Sequence, residues 1–384
     1  MQRRSDRRPV TEWWRTVDRW FLFAFIALIG FGIVLSFAAS PDVAERIGLD
    51  TFHFVERHAM FIVPAMAVMI GVSFLDDRQM RRVALVVLLG AMAMMVLALF
   101  FGLEVKGSRR WVRIAGVSVQ PSEFAKPAFV IICAWLFAEH LRRPDIPGNL
   151  LAGVLFAAIA ALLVAQPDLG QTVLVAGTWG AMFFMAGMSW LWIVVLGGIG
   201  VAGLVGAYLM LPHVANRIDE FFTGAGDTFQ VDTGREAIVR GGWFGQGPGE
   251  GTIKRILPDS HTDFVFAVLA EEYGIVLCMV LVGVFALIVL RGLMRSFREE
   301  DHFRRLAVSG LVTLIGLQSM INIMVNLQLL PAKGMTLPFV SYGGSSMIAV
   351  AITAGFILAL TRRRPETRFG HVRFAAPAPM QAAQ

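Results

Sequence analysis

The stretch FVFAVLAEEYGIVLCMVLVGVFALIVL, Phe264–Leu290, decides the fold. A helix crossing a bilayer core needs about 20 predominantly apolar residues, and this run exceeds that length while being interrupted only by Glu271, Glu272 and Tyr273. It follows directly on LPDSHTD, Leu257–Asp263, so a carboxylate stands at the lip of an apolar helix. Composition extends the reading to the whole chain. Of 384 residues, 56% are hydrophobic and 16% charged, where a soluble domain carries about a quarter charged residues; mean hydropathy is +0.66. The fold class is an all-α integral membrane protein.

Ten apolar runs are long enough to cross: 20–39, 58–74, 83–103, 122–138, 150–165, 170–187, 191–211, 264–290, 307–327 and 343–361. The first is too long for the apolar part of a signal peptide and reads as an uncleaved span. With both termini on one side, 21 Lys and Arg fall on that side and 12 on the other, while Lys126 lies within a span. Cytoplasmic segments carry the excess, so both termini are expected in the cytoplasm. The expected organisation is a cytoplasmic tail (1–19), a ten-helix domain (20–361) and a disordered cytoplasmic tail (362–384). A large extracytoplasmic loop, about 212–263, separates helices 7 and 8. The net charge of +6 reflects this sidedness; no basic stripe with interleaved aromatics points to nucleic acid. Cys133 and Cys278 lie in apolar runs far apart and read as small hydrophobes.

Several features break the pattern on the outer face. In LEVKGSRRWVRI, the cations Lys106, Arg109, Arg110 and Arg113 crowd the end of the third span; they form either a solvated loop or a cradle for an anion, since guanidinium forks match phosphate oxygens. Trp111 serves as a belt residue or a platform for a sugar. Glu123 and Lys126 share a helix face at i, i+3 and are expected to pair, structurally or around a substrate. Asp168 in QPDLGQT is an N-cap of the next helix or a site residue. The loop GGWFGQGPGEG, Gly241–Gly251, permits close backbone approach to a ligand and is followed by Lys254 and Arg255. LLPAKGMTLPFVSYGGSS, carrying Lys333 and Ser341, reads as broken backbone, tolerated at membrane depth only when buried in protein or lining a cavity.

In GSRRWVRI, QPSEFAK, QPDLG, GWFGQGPGEG, LPDSHTDFVFAVLAEE and LPAKGMTLPFVSYGGSS, in this order, the chain resembles the SEDS family of FtsW, RodA and SpoVE. The form AKGMTLPFVSYGGSS is similar to that of the division-type members. The resemblance implies a ten-helix enzyme of the bacterial inner membrane, acting at the division site. Such an enzyme polymerises lipid II into glycan strands beside a class B penicillin-binding protein and other divisome proteins. Asp259 stands where the family often has Glu and Ala332 where Thr is common, which argues against Asp259 as the catalytic group.

The implied reaction joins the 4-hydroxyl of an acceptor sugar to the anomeric carbon of a lipid-linked donor, with inversion, and expels undecaprenyl pyrophosphate. Such a leaving group requires one base and a cluster of positive charge rather than two carboxylates. Asp263 is the expected base, with Lys106, Arg109, Arg110 or Lys254 on the leaving group; the remaining substrate contacts are expected from Trp111, Glu123, Lys126, Asp168, His261, Lys333 and Ser341. His261 is the competing base, and Thr262 or Asp263 alternatively caps the helix. No dedicated metal-ligand set can be read, although a divalent cation could share the charge stabilisation. A lipid II flippase and a non-enzymatic divisome scaffold are the alternative functions.

Overall fold

The computed structural model describes residues 9–105, 108–114, 116–210, 215–216, 219, 223, 229–331 and 334–362. The described helices are α1 (Pro9–Thr16), α2 (Arg19–Arg46), α3 (His53–Val72), α4 (Asp77–Phe101), α5 (Pro121–Arg142), α6 (Gly148–Ala165), α7 (Leu169–Met185), α8 (Trp190–Met210), α9 (Phe229–Gly241), α10 (Val265–Phe297), α11 (His302–Asn326) and α12 (Gly344–Thr361). Nine of these are long and apolar enough to cross a membrane, and α7, 17 residues long, is the shorter apolar helix among them. Together they coincide with the ten runs read from sequence. The protein is therefore a multi-pass membrane protein. Its 28-residue α2 is about 42 Å long at 1.5 Å per residue, longer than the roughly 30 Å of a hydrocarbon core, and it overshoots the run 20–39 as far as Arg46.

The bundle has a tail end, where the first and last described residues lie, and a loop end. Helix starts at the tail end are set by acidic caps. Asp76 and Gln79 form a reciprocal capping box on α4, and Asp301 accepts from Arg304 N at 3.0 Å on α11. Asp18 caps α2 and also receives Arg291 at 2.8 Å and Arg295 at 3.0 Å, tying α2 to the far end of α10. The expected tail 1–19 is not wholly irregular, because α1 docks by its buried Trp13. The indole donates to Ser73 Oγ at 2.7 Å and stacks on Phe74. Residues 363–384 lie outside the described residues. α11 and α12 are buried over most of their length, whereas no described side chain of α8 is buried.

At the loop end the chain departs from all-helical structure. Residues of the expected loop after α4 form a small antiparallel sheet, β1 (Leu103–Val105), β2 (Ser108–Ile114) and β3 (Val117–Val119), in the order β1-β2-β3. The β-branched and aromatic residues of RWVRI favour this, and Gly116 supplies the positive φ (82°) of the β2–β3 turn.

The second departure is in α10. Gly274 sits at φ 80°, ψ 176°, which breaks the helix and leaves backbone groups without helical partners. The loop Gly241–Gly251 supplies them. Gln246 N and Gly247 N donate to the carbonyls of Glu271 and Glu272 at 2.9 and 3.0 Å, while Ile275 N and Val276 N donate to those of Gly242 and Trp243 at 3.0 and 3.2 Å. Gly241 and Gly245 thus permit close approach to the backbone of α10. A Cβ at Gly241 would stand 1.8 Å from Ala270 O, and one at Gly274 would stand 2.3 Å from Trp243 O.

Gly274→Ala is accordingly expected to destabilise the protein by more than the ~1–3 kcal/mol of a strained backbone conformation, because it also displaces the loop. Gly283→Ala, where nothing lies within 4 Å of an added Cβ, is the control. Thermal unfolding of both variants in detergent measures the difference, with a lowered midpoint expected for Gly274→Ala alone.

Candidate functional site

The turn before α10 is organised around Asp259, a non-glycine residue at φ 51°, whose carbonyl accepts from Thr262 N and Asp263 N at 3.1 Å and from Phe264 N at 3.3 Å. The cap residue of α10 is Phe264, with no side-chain capping bond. The capping role expected as an alternative for Thr262 or Asp263 is taken up elsewhere: Asn326 Oδ1 accepts from Ala267 N at 3.1 Å. The amides of Asn322 and Asn326 donate to the Asp263 carbonyl at 3.0 and 2.9 Å. The backbone of Asp263 is therefore clamped by α11, while its carboxylate, on a half-buried residue, lies beside the segment Gly334–Gly343. An added Cβ at Gly334 would be 3.4 Å from Asp263 Oδ2.

That segment is a strap of irregular backbone with its own partners. Asn322 donates to Met335 O at 2.6 Å, and Gln318 donates to Thr336 O at 3.0 Å. Ser341 Oγ accepts from Leu337 N at 2.9 Å, so Ser341 stabilises the strap from within. Phe339, at φ 63°, places its carbonyl against Gly32, where a Cβ would come within 2.3 Å of it.

Beneath the strap lies the expected pair. Lys126 Nζ is 2.8 Å from Glu123 Oε1, and both side chains are buried. Gln171 Nε2 donates to the same oxygen at 2.9 Å, and Lys126 also donates to Gln318 Oε1 at 3.2 Å. Ser346 Oγ reaches Glu123 Oε2 at 3.4 Å and Thr336 Oγ1 at 2.7 Å. One ladder on α11 (Gln318, Asn322 and Asn326) thus links the ion pair, the strap and the Asp263 turn. The sequence reading missed these three residues, together with Gln171 and Ser346. Their signal was present: three amides at i, i+4, i+8 on an otherwise apolar span mark one polar face.

The expected cations separate into two groups. Lys106 and Lys333 lie outside the described residues. Arg109 is exposed and pairs with Glu104 at 3.3 Å; Arg113, opposite Ser118, is exposed too. Trp111 is half-buried opposite Leu103. Arg110, by contrast, is turned to the α6–α7 connection. It donates to the carbonyls of Gln166 and Pro167 at 3.2 and 2.7 Å and to Ser108 Oγ at 3.0 Å, and faces Asp168 at 3.5 Å. Asp168 caps α7 through Gln171 N at 3.3 Å and accepts from Gln120. Lys254 requires the clearest correction. It is buried, 2.6 Å from Glu272 and 3.3 Å from Asp42, and donates to Ala38 O at 2.7 Å. Glu271 meanwhile accepts from Ile253 N and Lys254 N at 2.7 and 2.9 Å. Lys254 anchors the 253–263 loop to α2 and α10, so its ammonium faces protein rather than substrate. His261 packs against Phe54 at 4.8 Å. Burial pushes its imidazole down to about 4, with Asp259 opposing and Arg46 adding to the drop, so it is neutral near pH 7. Among the described residues no group of three or more His, Cys, Asp or Glu could hold a metal ion.

The model of the cell cycle proteins FtsW, RodA and SpoVE matches residues 19–366. The chain belongs to this family. A relative from Caulobacter vibrioides, named "Probable peptidoglycan glycosyltransferase FtsW", is 47% identical over 364 residues, covering 94% of this chain and 93% of its own. One of the same name from Geobacter metallireducens is 33% identical, covering 91% and 96%. Among solved structures, a chain of a peptidoglycan synthase complex that coordinates polymerization and crosslinking superposes with a TM-score of 0.75 at 26% identity, over 90% of this chain and 97% of that one. The rod shape determining protein RodA of Thermus thermophilus gives 0.65 at 25%, over 91% and 97%.

Removing either partner of a buried ion pair costs about 3–5 kcal/mol, because it strands a charge. Glu123→Ala and Lys126→Ala are therefore expected to lower both thermal stability and activity. The double swap, Glu123→Lys with Lys126→Glu, restores stability better than activity, because Gln171, Ser346 and Gln318 are oriented for the native polarity. Full recovery of activity by the swap would make the pair purely structural.

Proposed function

We propose that the protein is a peptidoglycan glycosyltransferase of the bacterial cytoplasmic membrane that polymerises lipid II into glycan strands at the division site, with Asp263 as general base. The observation that carries this reading is the division of labour at the start of α10. Asn326 accepts from Ala267 N and, with Asn322, donates to the Asp263 carbonyl, so position 263 is fixed through its backbone with its carboxylate beside the strap. In the reaction the carboxylate accepts the proton of the acceptor 4-hydroxyl as that oxygen bonds to the anomeric carbon. The bond from that carbon to the pyrophosphate breaks, and the leaving group departs with the electron pair. Charge developing there is met by outer cations, for which Arg109, Arg113, Lys106 and Lys333 are the candidates. Arg110 and Lys254 contribute by holding the framework. The partner is a class B penicillin-binding protein; the superposition on a chain of a polymerising and crosslinking complex supports an assembly of that kind.

Sidedness is part of the proposal: the loop end faces the extracytoplasmic space and both termini face the cytoplasm. Cysteines placed at the exposed positions Ser118 and Glu250 should react with a membrane-impermeant maleimide in cells with a permeabilised outer membrane, and one at Glu300 should not. The native Cys133 and Cys278 are buried and stay silent. The reverse labelling pattern would put the base on the wrong side for a lipid II polymerase.

The decisive substitution is Asp263→Asn, which keeps the size and backbone bonds but removes the carboxylate. Expression, insertion and stability should remain near native. Polymerisation of lipid II by the purified protein with its partner should fall about 100-fold or more, as for loss of a general base. A loss in His261→Ala much milder than that in Asp263→Asn excludes the imidazole as the base. Native rates from Asp263→Asn would favour a flippase or a scaffold.

A further inference from the structure

α3 brings to the loop end a group of residues that the mechanism above leaves unused. Phe54 and Arg57 lie in its first turns, beside Tyr342 of the strap and His261 of the catalytic turn. Ring centroids are 5.2 Å apart for Phe54 and Tyr342, 4.8 Å for Phe54 and His261, and 5.5 Å for His261 and Tyr342. The backbone bond from Tyr342 N to His261 O, 2.9 Å, fixes strap and turn together here, two residues along the chain from Asp263. Arg57 is exposed, and its positive charge opposes the upward push of burial on the Tyr342 phenol. Arg46, also exposed, acts on the imidazole of His261. His261 Nδ1 is buried without a hydrogen-bond partner among the described residues.

Packing alone accounts for three touching rings, but not for the exposed guanidinium of Arg57, which stands one helical turn along α3 from Phe54 on the same face. Arg46 and Arg57 are the only Lys or Arg of segment 40–57. A flat aromatic surface with a guanidinium at its edge suits a ligand with an apolar sugar face joined to a phosphate, since the fork binds phosphate oxygens in pairs and the ring face takes the C–H side.

We propose that Arg57, with Tyr342, Phe54 and His261, forms a binding subsite for the phosphate-linked sugar of a polyprenyl-linked glycan substrate. This rests on the polymerase reading and assigns it a substrate contact on α3, from which the sequence yielded none. Arg57 acts here as the anion anchor, and His261 backs the Phe54 and Tyr342 rings that it packs against.

The test is equilibrium binding to the purified full chain in detergent, without turnover, using lipid II and inorganic pyrophosphate as separate probes. Native protein is compared with Arg57→Gln, Arg57→Lys and Tyr342→Phe, and with Arg240→Gln as control, since Arg240 is an exposed cation paired with Glu236 at 2.8 Å. Lipid II binding should weaken roughly tenfold or more in Arg57→Gln, the scale of a charge-assisted hydrogen bond. It should recover in part in Arg57→Lys and stay native in Arg240→Gln, with thermal midpoints unchanged. In polymerisation assays the same loss should appear in KM rather than kcat. Native affinity in both Arg57 variants overturns the proposal. So does a loss that tracks a lowered thermal midpoint in every variant, or inorganic pyrophosphate binding as tightly as lipid II, which would mean a bare anion site. Binding is read without chemistry, so a polymerase reading that failed through Asp263→Asn would leave this outcome separately legible.

Discussion

A backbone amide or carbonyl facing hydrocarbon without a partner costs several kcal/mol, and the loop end of this bundle contains three segments that would expose such groups. They are the break in α10 at Gly274, the turn Leu257–Phe264 and the strap Gly334–Gly343. Each is supplied from a different source. The Gly-rich loop exchanges four backbone hydrogen bonds with the broken helix, the carbonyl of Asp259 gathers the amides of its turn, and the side-chain amides of α11 supply the strap. The irregular backbone of the loop end is held in place by these partners.

The same constraint explains the buried charges. Lys254 and the Glu123–Lys126 pair are ionic groups in surroundings where a lone charge would be prohibitive, and each has several partners. Such pairs are weak sources of net stability. Their geometric consequence is larger: Lys254 joins α2, α10 and the 253–263 loop, while Gln318 joins the Glu123–Lys126 pair to the strap. Displacing one member moves the others, because none can be left in place alone.

Sequence made the existence and order of the spans legible, with ends up to seven residues off at Arg46 and Phe297, because hydrophobic length is a property of neighbours along the chain. It also placed Glu123 and Lys126 on one face. It failed where roles depend on distant contacts. Arg110 and Lys254 look alike from sequence to Arg109 and Arg113, yet the first two are held by residues more than 50 and 200 positions away. The glycines of Gly241–Gly251 announce close approach, but not that the approaching partner is the chain's own helix. The small sheet was obscured for another reason: its strands are three to seven residues long, too short for alternation to declare itself within a charge-rich loop. The amides at 318, 322 and 326 were readable by period alone and show what a search for polar faces on apolar spans would add.

These considerations explain why the carboxylate at 263 stands where it does. An aspartate that capped α10 would have its oxygens drawn over the helix axis, committed to backbone N–H groups and turned from any substrate. Asn326 takes the capping contact from across the interface, and Asn322 and Asn326 together hold the Asp263 carbonyl, so position 263 is fixed through its backbone while its side chain is directed toward the strap. Catalysis by a positioned base depends on holding the reacting atoms within a fraction of an ångström. A clamp that acts on the main chain of the proposed base achieves this through the backbone alone.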